Sequence, residues 1–375
     1  MAEPVFVLPE SEHNTGIRDL IEDVAEVCDL DAAADAKVAG VVTFSDFQLE
    51  AAAVLAERLG LAFHPVDVAR TLTRKHLQRA VLNKRGVGHT PSALVTDLGS
   101  AELAAEQVGF PAVLKPNRGV GGTHTYPVAD RAELLDLVAA LMSSCVPPDD
   151  GYVLEARLAP ADVRPPWGGF VSVESLIREG EVTHVGITGK FGFMPPFRER
   201  GGYLPPLGGI VDEPAILDVT TRALHALGVG DSICHTEVMV TAAGPRIIEV
   251  NGRMGGHIHD LFRRAHGLDL IALAARVALG DPAPVALVPC GEVVYQYFGL
   301  APIDAKILLE APHVAEVRKL PEVSRFDLQV PPGSDLDWRR GFRERIYVCR
   351  GQVPDHERLA AFIESLNERL GIRYA

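Results

Sequence analysis

Between His235 and Arg253 the chain reads H-T-E-V-M-V-T-A-A-G-P-R-I-I-E-V-N-G-R, and the residue types and spacing there suit phosphate chemistry. A three-residue loop, Ala242-Ala243-Gly244, puts glycine at the left-handed position that such hairpins favour and sets Glu237 directly opposite Glu249. Side chains alternate along a strand, so Asn251 shares that face, and Arg253 joins it if the strand continues. Val238, Val240, Ile248 and Val250 then point to a core. Two opposed carboxylates repel unless a cation lies between them. Two carboxylates and an amide offer only oxygen, which suits a hard ion such as Mg²⁺ rather than zinc. Arg253 beside it is placed to hold a phosphoryl group or a developing oxyanion.

A second constellation is V-L-K-P ending at Pro116, followed by Gly119, Gly121 and Gly122. It is neither GxxxxGK[ST] nor a dinucleotide fingerprint; it reads as a hairpin flap whose free N–H groups close over phosphates. Lys115, inside an apolar strand, needs an anion there. Residues 191–209 hold Phe193, Phe197, Arg198, Glu199, Arg200 and Tyr203, where arginines suit an acidic substrate and Glu199 an amino group. His257 and His259, two apart at a helix start, do not share a face and read as structural. Trp167 beside Pro165 and Pro166 reads as a packing anchor.

The elements that must position these residues alternate first in an α/β manner. Strands are expected at Val5–Leu8, Ala39–Phe44 and Leu61–Phe63, and helices at Ile17–Cys28 and Phe47–Leu59, which together make a small parallel sheet. A basic helix, Arg74–Leu82, leads to a turn-rich G-V-G-H-T-P. The middle is α+β, with strands at Pro111–Pro116, Thr125–Val128, Tyr152–Glu155, Phe170–Ile177 and Thr183–Thr188, helices at Arg131–Met142 and Ala215–Leu227, the hairpin at 235–250, and a helix at 258–279. Residues 191–209, rich in proline and paired glycines, are expected to be a structured loop. Prolines 282, 284 and 289 precede a last α/β module.

The chain has 375 residues, 47% hydrophobic and 23% charged, which excludes disorder, collagen and coiled coil and allows two or three domains. A formal charge of -14 argues against nucleic acid or an anionic membrane as main partner, though a nucleotide site needs only a few local cations. Cys28, Cys145, Cys234, Cys290 and Cys349 are scattered and odd in number, as expected of free thiols in a reducing cytosol. The N-terminus lacks the basic and long apolar regions of a signal peptide, and a cytoplasmic location is expected.

Taken together, these segments resemble the ATP-grasp superfamily of carboxylate-amine ligases, and within it the L-amino acid (dipeptide) ligase group. The matching motifs are Lys75 before G-V-G-H-T-P, V-L-K-P with its flap, Y-V-L-E-A-R-L, S-V-E at 172–174, I-T-G-K at 187–190, and E-x(11)-E-x-N-x-R-x-G-G. The resemblance implies a pre-ATP-grasp α/β domain over 1–88, an ATP-grasp domain over 89–281 with its flap subdomain at about 110–155, and a C-terminal α/β lid module over 282–375. It implies ATP contacts from Lys75, Lys115, Gly119, Gly121, Gly122, Glu155, Leu158 and Lys190. Glu237, Glu249 and Asn251 would bind Mg²⁺, two ions with Mn²⁺ as a substitute. Arg253 would be catalytic, and Glu174, Arg198, Glu199, Tyr203, Arg253, Gly255 and Gly256 would bind substrate. The implied reaction joins a small carboxylate and an amine through an acyl phosphate, with no nucleic acid or membrane as partner; the C-terminal module is compatible with a homodimer. Two alternatives are a ligase or carboxylase of nucleotide-precursor metabolism and a catalytically silent ATP-binding module. The sequence departs from the family at Phe170, where an acidic ribose contact is common, and at Gly202, where a histidine is common.

Overall fold

The structure, a computed structural model, describes residues 5–7, 26–28, 30–35, 38–144, 150–209, 212–281, 285 and 287–375. Strand β1 (Val5–Val7) lies parallel to β2 (Glu26–Cys28), with Val5 opposite Glu26. Glu26–Cys28 is therefore a strand, not the end of a helix; the rest of the helix expected at 17–28, residues 17–25, lies outside the described residues, as does Leu8. Beyond α1 (Leu30–Asp35), the strands expected at 39–44 and 61–63 are absent. The first of these segments is wedged against a helix, for a Cβ on Gly40 would lie 2.4 Å from the Ala278 carbonyl oxygen. Three helices follow in place of the two expected: α2 (Leu49–Leu59), α3 (Val66–Thr73) and α4 (Lys75–Lys84).

A four-stranded antiparallel sheet comes next. It is built from β3 (Ser92–Val95), β4 (Ala112–Pro116), β5 (Tyr126–Val128) and β6 (Tyr152–Ala156) in the order β3-β6-β4-β5. Two helices, α5 (Leu98–Val108) and α6 (Arg131–Ser144), bury Ala101, Ala104, Leu134 and Val138 against Leu114, Tyr126 and Leu154. Helix α5 was not legible from periodicity because its buried stripe is alanine; a capping box of Asp97 and Ser100 marks its start.

The larger sheet has eight antiparallel strands: β7 (Trp167–Arg178), β8 (Glu181–Phe191), β9 (Gly201–Leu204), β10 (Ser232–Thr241), β11 (Gly244–Asn251), β12 (Val293–Leu300), β14 (Val323–Leu328) and β15 (Arg345–Val353). Their order is β11-β10-β7-β8-β9-β12-β15-β14, so chain on both sides of the 282–289 proline stretch shares one sheet. A short β13 (Leu308–Glu310) pairs with the terminal β16 (Arg373–Tyr374). Strand β9 corrects the expectation of a loop throughout 191–209. Its glycines let strands approach closely: a Cβ on Gly201 would lie 2.1 Å from the Gln296 carbonyl oxygen. Helix α7 (Glu213–Leu227) matches its expected span, whereas the helix expected at 258–279 is two, α8 (Ile258–His266) and α9 (Leu270–Ala278). The break follows from a left-handed C-cap at Gly267 and from Asp269, whose carboxylate caps the second helix by accepting from the Ile271 and Ala272 N–H groups. After α10 (Val314–Val317), α11 (His356–Leu370) packs its Leu359, Phe362 and Leu366 into the core of the last strands; Trp167 belongs to that core, stacked on Phe191.

Candidate active site

The acidic hairpin has the expected pairing for a different reason. Glu237 lies opposite Glu249 and His235 opposite Asn251, but Thr241 pairs with Gly244, so the loop has two residues rather than three. A bulge between Glu237 and Val238 on their partner strand, at Ile248, restores the register. Ile247 consequently takes the core place expected for Ile248, joining Val238 and Val250, while Ile248 turns toward a cavity.

Helix α4 holds this bulge. Its residues Lys75, Gln78 and Arg79 stand three and four apart and so share a face. The Gln78 amide donates to the Val250 carbonyl and accepts from the Val250 N–H, both at 2.8 Å, which satisfies the free edge of β11. Arg79, 3% exposed, donates to the carbonyls of Ile247 at 3.0 Å and Ile248 at 2.9 Å and to Glu155 at 2.7 Å. Lys75 Nζ donates to Glu249 and to the Gly119 carbonyl, each at 2.8 Å, tying the hairpin to the flap. Lys115 completes the set with an ion pair to Glu155 at 3.1 Å. Burial alone would raise the Glu155 carboxyl, but Lys115 and Arg79 hold it below the usual carboxylate range.

Two cavities meet at the carboxylates. The first, ≈ 160 Å³, is lined by Lys75, Lys115, the flap from Gly119 to Thr123, Glu155, Leu158 and an apolar wall of Phe170, Phe193, Phe197, Met239 and Ile248. Phe170 and Phe193 stack at 4.1 Å. The second, ≈ 270 Å³, is lined by residues that include Asp46, Lys190, Gly202, His235, Asn251, Arg253, Gly256, His257, Phe298 and Arg343. Val120, Gly121, Glu199, Glu237 and Glu249 line both, so the carboxylates and the flap tip form the partition.

Charges around the partition are organised in pairs. Arg253 donates through Nε to Asp46 at 2.9 Å, with a second, closer bond from its Nη2 to the same carboxylate. Lys190 pairs with Glu199 at 2.6 Å. His235 is bonded through Nδ1 to the fully buried Glu174, which also accepts from the Gly255 N–H at 3.0 Å, and its Nε2 lies 3.6 Å from Glu237. Burial favours the neutral ring, but the Glu174 carboxylate outweighs it and raises His235 to about 9. Burial likewise raises Glu237, yet His235, Lys190 and Arg253 bring it down to about 2. Among the described residues no three His, Cys, Asp or Glu side chains converge on one point; the donor set is two carboxylates and an amide, which suits a hard cation with room for oxygens from a ligand.

Of the residues expected to bind a nucleotide, Lys75, Lys115, Gly119, Gly121, Gly122, Glu155 and Leu158 line the first cavity, whereas Lys190 lines the second. Glu237, Glu249, Asn251, Arg253, Glu199 and Gly256 line the second cavity. Four expected substrate residues line neither. Glu174 is buried beneath His235, and Gly255 packs on the His235 ring with its N–H bonded to that same carboxylate. Tyr203 packs against Trp167 in the core, and Arg198 is 1% exposed, its Nε bonded to the Pro195 carbonyl. His257, expected to be structural, lines the second cavity. Its Nε2 accepts from Arg345 at 2.7 Å, and burial with the nearby arginines lowers it to about 4. Asp46, Arg79 and Arg343 were missed, since each reaches the site across a long sequence separation that no local spacing records.

Cys234, Cys290 and Cys349 are free thiols, and Cys145 lies outside the described residues. No helix among the described residues is long and apolar enough to cross a membrane.

No protein-family model matches the chain. It is 24% identical over 282 residues to the alanine–anticapsin ligase of Bacillus subtilis, covering 70% of this chain and 57% of that protein. It is 24% identical over 280 residues to human carnosine synthase 1, covering 69% of this chain and 33% of that protein. The chain thus spans only a third to somewhat over half of these curated relatives. The crystal structure of an L-amino acid ligase from Bacillus licheniformis superposes with a TM-score of 0.74 at 22% identity, covering 92% of this chain and 84% of that one. The chain has the ATP-grasp fold, and the curated proteins it resembles in sequence include an alanine–anticapsin ligase and a carnosine synthase.

Proposed function

We propose that the protein is an ATP-dependent carboxylate-amine ligase that joins small amino-acid-like substrates through an acyl phosphate, releasing ADP and phosphate. The observation that carries this reading is the partition: two cavities share Glu237, Glu249 and the flap tip, so a group can pass directly between their occupants.

ATP fits the first cavity by its lining. Apolar side chains suit a base, and Lys75 and Lys115, now neutralised by Glu249 and Glu155, supply positive charge for phosphates. Glu237, Glu249 and Asn251 would hold Mg²⁺, as the oxygen-only set requires. When bound, ATP and Mg²⁺ supply the phosphoryl group that turns an unreactive carboxylate into an acyl phosphate, from which an amine displaces phosphate. The chain's own residues do the rest. Arg253, fixed by Asp46, balances charge on the transferring group; the flap excludes water; and Lys190 with Glu199 lies ready for the charged ends of an amino acid. The proposed domains are 1–88, 89–281 and 282–375, the last adding β12, β14 and β15 to the larger sheet of the second.

Incubation with ATP, Mg²⁺ and pairs drawn from an amino-acid library, with ADP, phosphate and product mass measured, tests the reading. The proposal expects a condensation product with ADP. Turnover that requires bicarbonate would favour the nucleotide-precursor alternative, and no ADP with any pair would favour the silent module.

A further inference from the structure

Arginine 343 lies on a short 3-10 segment, Trp338–Glu344, that straps the glycine flap. The His124 N–H donates to the Arg339 carbonyl at 2.9 Å, and Thr123 Oγ1 donates to the Arg340 carbonyl at 3.3 Å. Trp338 packs edge-on against Tyr126 at 5.9 Å. The strap is therefore bonded to the flap, and it carries a cation to the second cavity.

The other cations on that cavity are engaged: Lys190 by Glu199, Arg253 by Asp46 and His235 by Glu174. Arg343 is exposed and makes no hydrogen bond or ion pair with any described residue. A guanidinium presents a planar fork that matches a carboxylate in two parallel hydrogen bonds. Position decides which carboxylate. The one to be activated must meet the phosphoryl donor at the partition, beside Glu237, Glu249 and Arg253. Arg343 lines the second cavity and not the first, in company with Gln296 and Phe298, which also line the second alone.

Resting on the ligase reading, we infer that Arg343 binds the carboxylate of the amine substrate, the group that survives as the free C-terminus of the product. The site thereby prefers amino acids over simple amines, and the substrate's binding braces the strap that holds the flap.

The experiment compares an amino acid with its own carboxamide as amine partner, at saturating ATP and a saturating first amino acid; the carboxamide can serve only as the amine. For the wild type, kcat/KM for the amino acid exceeds that for the carboxamide by roughly 10- to 100-fold, the worth of a charged hydrogen-bonded pair. R343A loses that preference through a higher KM for the amino acid, with the KM for ATP within about twofold of wild type, and R343K restores part of it. Because the side chain is exposed and unpaired, R343A folds normally, which a matching melting temperature verifies. Product formation with the preference intact in R343A would overturn the assignment alone, as would an effect confined to the KM for ATP. Absence of ADP release by the wild type would overturn the ligase reading and the assignment with it.

Discussion

Replacing Arg79 with methionine isolates the strut beneath the site. The side chain is 3% exposed and its guanidinium serves Glu155 and the two carbonyls at the Ile248 bulge. Methionine fills similar space but leaves Glu155 with Lys115 alone and strips both carbonyls of a side-chain donor. Breaking a buried pair in this way costs about 3–5 kcal/mol, much of it the penalty of a poorly compensated charge. At an unfolding entropy of about 2.1 cal/mol/K per residue, a cooperative chain of this length should melt about 4–6 °C lower. Differential scanning calorimetry reads this directly. The double variant R79M/E155M removes the stranded carboxylate but leaves Lys115 without its partner and the Ile247 and Ile248 carbonyls without their donor, so it should regain only part of the loss, because the two sites couple. The reasoning is refuted if R79M melts within about 1 °C of wild type, or if the double variant is no better than the single.

Two further outcomes follow from other parts of the structure. His64 is 2% exposed, its Nε2 bonds the Gly252 carbonyl at 2.8 Å, and burial lowers its pKa to about 4. The unfolded chain binds this proton below about 6.5 and the folded chain only below about 4, so stability falls as pH drops through that window; denaturant titration should show about 2 kcal/mol lost from this group between pH 7 and 5, and H64Q, which keeps a donor to Gly252, should lack that component. Gly341 adopts φ 61 and ψ -136, and a Cβ there would lie 2.3 Å from the Gly121 carbonyl oxygen. G341A should displace the flap from its strap, at a cost of roughly 1–3 kcal/mol, and raise the KM for ATP about fivefold or more, with steady-state kinetics as the check.

How far the sequence reached depends on whether the controlling interaction was local. The pairing of Glu237 with Glu249 was read from a three-residue loop that the hairpin does not have; a shorter turn and a bulge, bonded to Arg79 some 170 positions away, offset each other and leave the same pair opposed. Lys75, Lys115 and the flap glycines were legible because an isolated lysine in an apolar strand and a glycine cluster are unusual within a few residues. Strand β9 was hidden, since its glycines signal a turn until Gln296 and Tyr297 are laid beside them. The expected roles of Tyr203 and Arg198 failed for the complementary reason: polar residues in a loop read as accessible, but the folding of that loop onto Trp167 and Pro195 buries them. Asp46 and Arg343 needed tertiary structure outright, as neither carries a local motif.

The central claim is that a substrate carboxylate is activated by phosphorylation at the partition between the cavities. It is tested most directly by supplying the first amino acid with both carboxylate oxygens labelled as ¹⁸O and analysing the products by mass spectrometry. The account predicts that each condensation transfers one labelled oxygen to inorganic phosphate and leaves the other in the new amide, with ADP formed in equal amount. Amide formed while the phosphate carries no label would contradict it.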